Sequence, residues 1–141
     1  MKSLSRVSAL LLVLVPTLAV AGCGDDDDEG AGLSPAQQSG VGAECAQDNQ
    51  CNTQNADQIC LTEFKGGYCG ERNCTRDADC LAGSACVAHD LGNFCFLICT
   101  EKFHCNGTRS FENEANCVSN IDFVEGPKGG VKVCVPPNSG V

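Results

Sequence analysis

Thirteen of the 141 residues are cysteine, and their sulfurs are the groups in this chain best able to do chemistry. A cysteine can close a disulfide, hold a metal as thiolate, attack as a nucleophile or carry a lipid. Spacing separates these options. There is no C-x-x-C or C-x-C pair, and His89 and His104 stand alone, so the sequence offers neither a zinc-ligand pattern nor a redox pair. Such a cysteine density, in a chain with no Trp and one Tyr, indicates a disulfide scaffold folded in an oxidising compartment after export. An odd count leaves at least one cysteine without a partner in the chain.

Other chemistry is not signalled. Ser, His and Asp occur, but no G-x-S-x-G, H-E-x-x-H or phosphate-binding loop arranges them. His89 and His104 read as solvated loop residues. The formal charge is −9, which argues against nucleic acid and against direct contact with anionic headgroups. The expectation is a non-enzymatic protein with no catalytic residue and no metal.

Setting Cys23 aside, the other twelve cysteines fall into three blocks of four. Cys45, Cys51, Cys60 and Cys69 form the first, Cys74, Cys80, Cys86 and Cys95 the second, and Cys99, Cys105, Cys117 and Cys134 the third. Each opens with C-x5-C. In the first two blocks, Asp48 and Asp77 occupy the same place in that loop. A carboxylate there can accept hydrogen bonds from backbone N–H groups just downstream and cap the turn. Lys102 stands at that place in the third block, so its loop should be built differently.

The second halves of blocks one and two also align. "CLTEFKGGYC" and "CVAHDLGNFC" each end in Gly, one residue, an aromatic and cysteine, with Gly66–Tyr68 and Gly92–Phe94. This predicts a short β-hairpin with Gly in the turn and the aromatic over the disulfides. In block three the hairpin strands are expected at 121–124 and 131–135, around Gly126-Pro127-Lys128-Gly129-Gly130. Phe94, Phe96, Leu97 and Ile98 have two readings, packing between modules or an exposed binding patch. Repetition at this period favours small tandem modules over one globular domain.

The repeats leave three possible pairings per module. The C-x-x-D-x-x-C-x5-C run of block two resembles the centre of whey acidic protein modules and of the Dickkopf amino-terminal cysteine-rich region. The whey acidic resemblance implies first-to-third and second-to-fourth pairing. That gives Cys45–Cys60, Cys51–Cys69, Cys74–Cys86, Cys80–Cys95, Cys99–Cys117 and Cys105–Cys134. It also raises protease inhibition as an alternative function.

Positioning these blocks falls to the segments before them. Residues 1–22 read as a signal peptide: Lys2 and Arg6 precede a 14-residue apolar run, Val7 to Val20, where a membrane span needs about 20 residues. Val20-Ala21-Gly22-Cys23 resembles a bacterial lipobox, which implies that Cys23 becomes the mature N-terminus carrying diacylglycerol and further acyl chains such as palmitate. Ala19-Val20-Ala21 also allows ordinary signal-peptidase cleavage. Two or more acyl chains anchor a protein to a bilayer without spanning it.

Residues 23–44 follow as the lipidated cysteine and an acidic tether, opening Asp25-Asp26-Asp27-Asp28-Glu29. Its 21 residues after Cys23 would reach about 70 Å when extended. The acid run reads as a solvated spacer, as a surface-sorting signal or, least well, as a calcium ligand lacking a spaced loop. Cysteine-rich repeats at 45–73, 74–98 and 99–135 come next, then a C-terminal tail at 136–141.

The chain as a whole resembles a bacterial cysteine-rich lipoprotein. The expected fold is a small disulfide-rich protein: three tandem four-cysteine modules with short β-hairpins and little helix, behind a signal helix and a disordered linker. The expected function is a lipid-anchored envelope protein, at the periplasmic or outer face of the outer membrane, presenting a binding or adhesion module. Its partners would be the bilayer, through the acyl chains on Cys23, and a protein or glycan ligand. A structural spacer without a ligand is the remaining reading.

Overall fold

A computed structural model describes residues 32–51 and 57–140. The signal-peptide reading, Cys23 and the acid run lie outside the described residues. Residues 32–140 belong to one compact unit. It is a small disulfide-rich protein of short antiparallel strands with very little helix. Strands β1 (Ile59–Cys60) and β2 (Cys69–Gly70) form a two-stranded ladder. β3 (Ser84–Val87), β4 (Phe94–Cys99), β5 (Asn116–Val118) and β6 (Lys132–Val135) form a sheet in the order β3-β4-β6-β5. Among the described residues no helix is long and apolar enough to cross a membrane.

The six disulfides are Cys45–Cys60, Cys51–Cys69, Cys74–Cys86, Cys80–Cys95, Cys99–Cys117 and Cys105–Cys134. These are the pairs that the whey acidic resemblance implies. The geometry that repeats is simple. In every block the third and fourth cysteines face each other across a strand pair: Cys60 and Cys69, Cys86 and Cys95, Cys117 and Cys134. Neither bonds to the other. Each reaches back to the C-x5-C loop, so two bonds clamp that loop onto the ladder. The close-set cysteine sulfurs of each block are therefore neighbouring disulfides, with no thiolate to offer a metal.

Three features depart from the expectation. First, the three blocks, each closed by its own two disulfides, are joined by a shared core. β4 carries both the last cysteine of block two and the first of block three, so one sheet serves both. Leu61, Phe64 and Tyr68 of block one pack with Phe94, Phe96 and Val87 of block two and Val133 of block three. Tyr68 and Phe94 thus face a common core instead of lying over their own disulfides. Phe64 meets Tyr68, Phe94 and Phe96 edge-on, with centroids 6.2, 5.1 and 5.6 Å apart. Burying each such ring contributes about 1.5–3 kcal/mol, which the short cysteine-bridged loops could not supply alone. Phe94, Phe96 and Leu97 accordingly serve packing, and only Ile98 faces solvent.

Second, the expected tether ends early. Ser34-Pro35-Ala36-Gln37 is a capping box: Gln37 N–H donates to Ser34 Oγ, and Ser34 N–H donates to Gln37 Oε1. It starts α1 (Pro35–Gln38), with Pro at its first position. Ala36 is fully buried and donates its N–H to Ala82 O. Ser34 lies so close over Gly83 that a β-carbon there would come within 2.3 Å of Ser34 Oγ. Beyond α1, Gly42 N–H donates to Cys69 O and Cys69 N–H to Ala43 O. Residues 34–44 therefore belong to the folded unit.

Third, the hairpin of block three uses other strands. β6 pairs with β5 at 116–118, and the apolar run 121–124 crosses to block two. Phe123 bridges Val87, and Val124 N–H donates to Cys86 O. The disulfide pattern explains the choice. Cys117 must lie opposite Cys134, which aligns 116–118 with 133–135 and excludes the shorter hairpin.

Gly67 shows how tightly block one closes. Its φ is +66°, and a β-carbon would lie 2.0 Å from Cys45 O. Gly67→Ala is expected to cost about 3 kcal/mol or more, from left-handed strain plus overlap with backbone. Gly129→Ala, with nothing within 4 Å, should shift the urea midpoint little. Equal midpoints for the two variants would contradict this packing.

Candidate functional site

The C-x5-C loops are where the repeats look most alike, and their aspartates act at longer range than the sequence suggests. Asp48 Oδ1 accepts from Cys60 N–H at 2.9 Å, and Asp77 Oδ1 accepts from Cys86 N–H at 3.0 Å. Each carboxylate therefore holds its loop to the third cysteine of its block, beside the disulfide. The local caps are Gln50, whose Oε1 accepts from Ala46 and Gln47 N–H, and Asp79, whose Oδ2 accepts from Thr75 and Arg76 N–H. The downstream Asx turn expected at Asp48 and Asp77 is thus replaced by a bond across the module. A one-turn 3₁₀ helix, Asp48–Gln50 or Asp77–Asp79, points the Asp side chain inward. Block three, without the Asp, uses Asn106: its Nδ2 donates to Lys102 O and Ala115 O, and its Oδ1 accepts from Ala115 N–H.

Asp77 has a second partner. Lys128 Nζ donates to its Oδ2, and Glu125 Oε2 accepts from Asp77 N–H at 2.7 Å. The 126–130 loop is thereby pinned to block two. Burial raises the Asp77 pKa, but the Lys128 and Cys86 hydrogen bonds outweigh it and leave the carboxyl below its ordinary value. A depressed folded pKa gives stability that is present above the ordinary carboxylate range and is lost as pH falls through the lower folded value. For a partly exposed pair the contribution is about 0.2–1 kcal/mol. Lys128→Met should lower the urea midpoint at neutral pH, and the gap to the parent should narrow once Asp77 is protonated. A gap that persists undiminished under acid would contradict the ion pair.

Arg109 has no sequence signal, yet its side chain makes four hydrogen bonds to backbone carbonyls. It is buried. Nε reaches Asn113 O at 2.6 Å, Nη1 reaches Gly42 O and Gly67 O, both at 3.0 Å, and Nη2 reaches Lys65 O at 3.0 Å. Its Cζ stands 6.0 Å from the Tyr68 ring centroid. Burial lowers its pKa from the ordinary value, though a guanidinium stays protonated in any accessible range. Beside it, Glu44 accepts from Ser110 N–H at 2.7 Å and Asn113 Nδ2 at 2.6 Å. The Ser110 bonds, more than any other influence, hold the Glu44 carboxyl below its usual range. Together these groups lock the 42–44 segment to blocks one and three.

The histidines do not converge on a site. His89 Nδ1 accepts from Leu91 N–H, and its Nε2 bonds Ser139 O, which ties the 136–140 tail to block two. His104 Nδ1 lies 3.1 Å from Thr100 Oγ1. An open cleft of about 290 Å³ beside His89 is lined by Asp90, Asn120, Ile121 and Asp122.

The outer surface carries large apolar side chains that the core does not use. Phe103 is 70 % exposed, Phe111 88 %, Leu91 68 % and Leu33 61 %. Phe103 and Phe111 sit on the short 3₁₀ turns Lys102–Cys105 and Phe111–Asn113 of block three.

No known protein family, curated protein or solved structure matches the chain. The functional reading therefore rests on these residues alone. What they offer is a braced surface: backbone loops fixed by disulfides, by Arg109 and by the Asp48 and Asp77 bonds, with aromatic side chains presented outward.

Proposed function

We propose that this is a non-enzymatic envelope protein, anchored through acyl chains on Cys23, that presents the folded unit as a rigid binding module. One observation carries the reading. Six disulfides consume twelve of the thirteen cysteines, and the one left over stands in the lipobox-like Val20-Ala21-Gly22-Cys23. Exposed aromatics on constrained turns suit recognition, because their contact surface is already ordered before binding.

Protease inhibition is the weaker reading. It calls for a projecting loop near the first cysteines, yet Ala43 O accepts from Cys69 N–H and Glu44 N–H donates to Thr108 O. The segment before Cys45 is thus occupied by the unit's own backbone.

Intact mass measurement of the protein purified from its native membrane tests the anchor. The expected mature chain begins at Cys23 and carries diacylglycerol plus an amide-linked acyl mass. A chain beginning at Gly22 without acyl mass would overturn the proposal.

A further inference from the structure

We propose that the folded unit rests on the bilayer through one face, formed by Leu33 and Phe103 around Gly107. The inference depends on the acyl anchor and adds an orientation to it. Leu33, His104, Gly107 and Thr108 line one cleft, whose apolar floor includes Val41 and Leu97. Phe103, Asn106 and Gly107 line the next. The Phe103 and His104 rings are in contact, with centroids 4.1 Å apart. Two of the most exposed apolar side chains of the unit thus flank one glycine, with shallow apolar ground between them.

What covers this face follows from covalent length. Leu33 directly precedes Ser34, which caps α1, and Ala36 behind it is buried. Ten peptide steps separate Cys23 from Leu33 and span at most about 35 Å. That is close to the width of a domain of this size, whose radius of gyration is about 13 Å. The acyl chains therefore hold the Leu33 end within reach of the interface, while the opposite side of the unit cannot replace it without stretching the chain. With exposed Glu101 beside it, the face suits zwitterionic and not anionic lipid. Lys102 Nζ donates to Glu114 Oε2 at 2.7 Å across the rim, so the pair adds no net repulsion despite the acidity of the chain. Phe and Leu side chains on such a face enter the headgroup boundary, where their apolar surface leaves water.

The chain contains no Trp, so one introduced Trp is a sole reporter. Full-length acylated Phe103→Trp and Leu91→Trp proteins are reconstituted in zwitterionic phosphatidylethanolamine–phosphatidylcholine vesicles with acyl chains brominated near the headgroup. The expected result is blue-shifted, strongly quenched emission for Phe103→Trp and unshifted, unquenched emission for Leu91→Trp. The double variant Leu33→Ser/Phe103→Trp should lose much of that quenching. Equal quenching of both Trp residues, or of neither, in protein that floats with the vesicles overturns the orientation and leaves the anchor standing. Protein that does not float overturns the anchor and this inference with it.

Discussion

Full reduction of the six disulfides is expected to unfold residues 34–140 in a single step, α1 included. The loops that the bonds close span sequence separations of 12 to 29. In the chain-entropy model a 15-residue loop contributes about 3 kcal/mol. Six such contributions, about 18 kcal/mol before any discount for the overlap of the paired loops, are comparable to the whole 5–15 kcal/mol by which domains are stable. The aromatic core does not rescue the reduced chain. Its members come from all three blocks, and β1, β2 and β5 are only two or three residues long. Without the bonds that hold third and fourth cysteines to their loops, those strands have no means of keeping register. Amide NMR dispersion should collapse across the unit, and Ala36 should lose protection together with Val133. A reduced protein that kept native dispersion in the β3-β4-β6-β5 sheet would show that the core, not the disulfides, holds the fold.

Arg109→Ala is expected to be among the most damaging single substitutions outside cysteine, at about 3 kcal/mol or more. The guanidinium satisfies carbonyls from Gly42, Lys65, Gly67 and Asn113, which converge only because it lies between them. Its removal orphans several buried acceptors at once, whereas a typical surface substitution stays within about 0.5 kcal/mol. Arg109→Lys should recover only part of the loss, since one ammonium cannot reproduce a planar fork of five donors. Urea titration of the three proteins measures this. A loss below about 1 kcal/mol for Arg109→Ala would mean that water replaces the guanidinium freely.

How much of this is legible in the sequence varies with the range of the interaction. Cysteine spacing exposes the three repeats, because the C-x5-C loop and the facing third and fourth cysteines are local and recur. The special place of Asp48 and Asp77 is visible for the same reason. Their partners are not, because Cys60 and Cys86 come within reach only when the disulfides have formed. Ser34-Pro35-Ala36-Gln37 is a readable helix start, hidden in a segment whose Gly, Ser and Gln content suggests linker. Its docking depends on Gly83, which nothing local reveals. Arg109 is the least legible of all. It sits in a polar loop, and its acceptors are backbone carbonyls 42 to 67 residues away on one side. Carbonyls leave no mark on a sequence. The hairpin of block three misleads because 121–124 has strand-like composition but is drawn to Val87, with Lys128 pinned on Asp77.

Disulfide mapping of the native protein, by mass spectrometry of non-reduced peptides with free thiols blocked beforehand, reads the connectivity on which the fold depends. Six links are expected: Cys45–Cys60, Cys51–Cys69, Cys74–Cys86, Cys80–Cys95, Cys99–Cys117 and Cys105–Cys134. Cys23 should appear in none of them. A link between facing cysteines such as Cys117 and Cys134, or any peptide joining Cys23 to another cysteine, would contradict that connectivity.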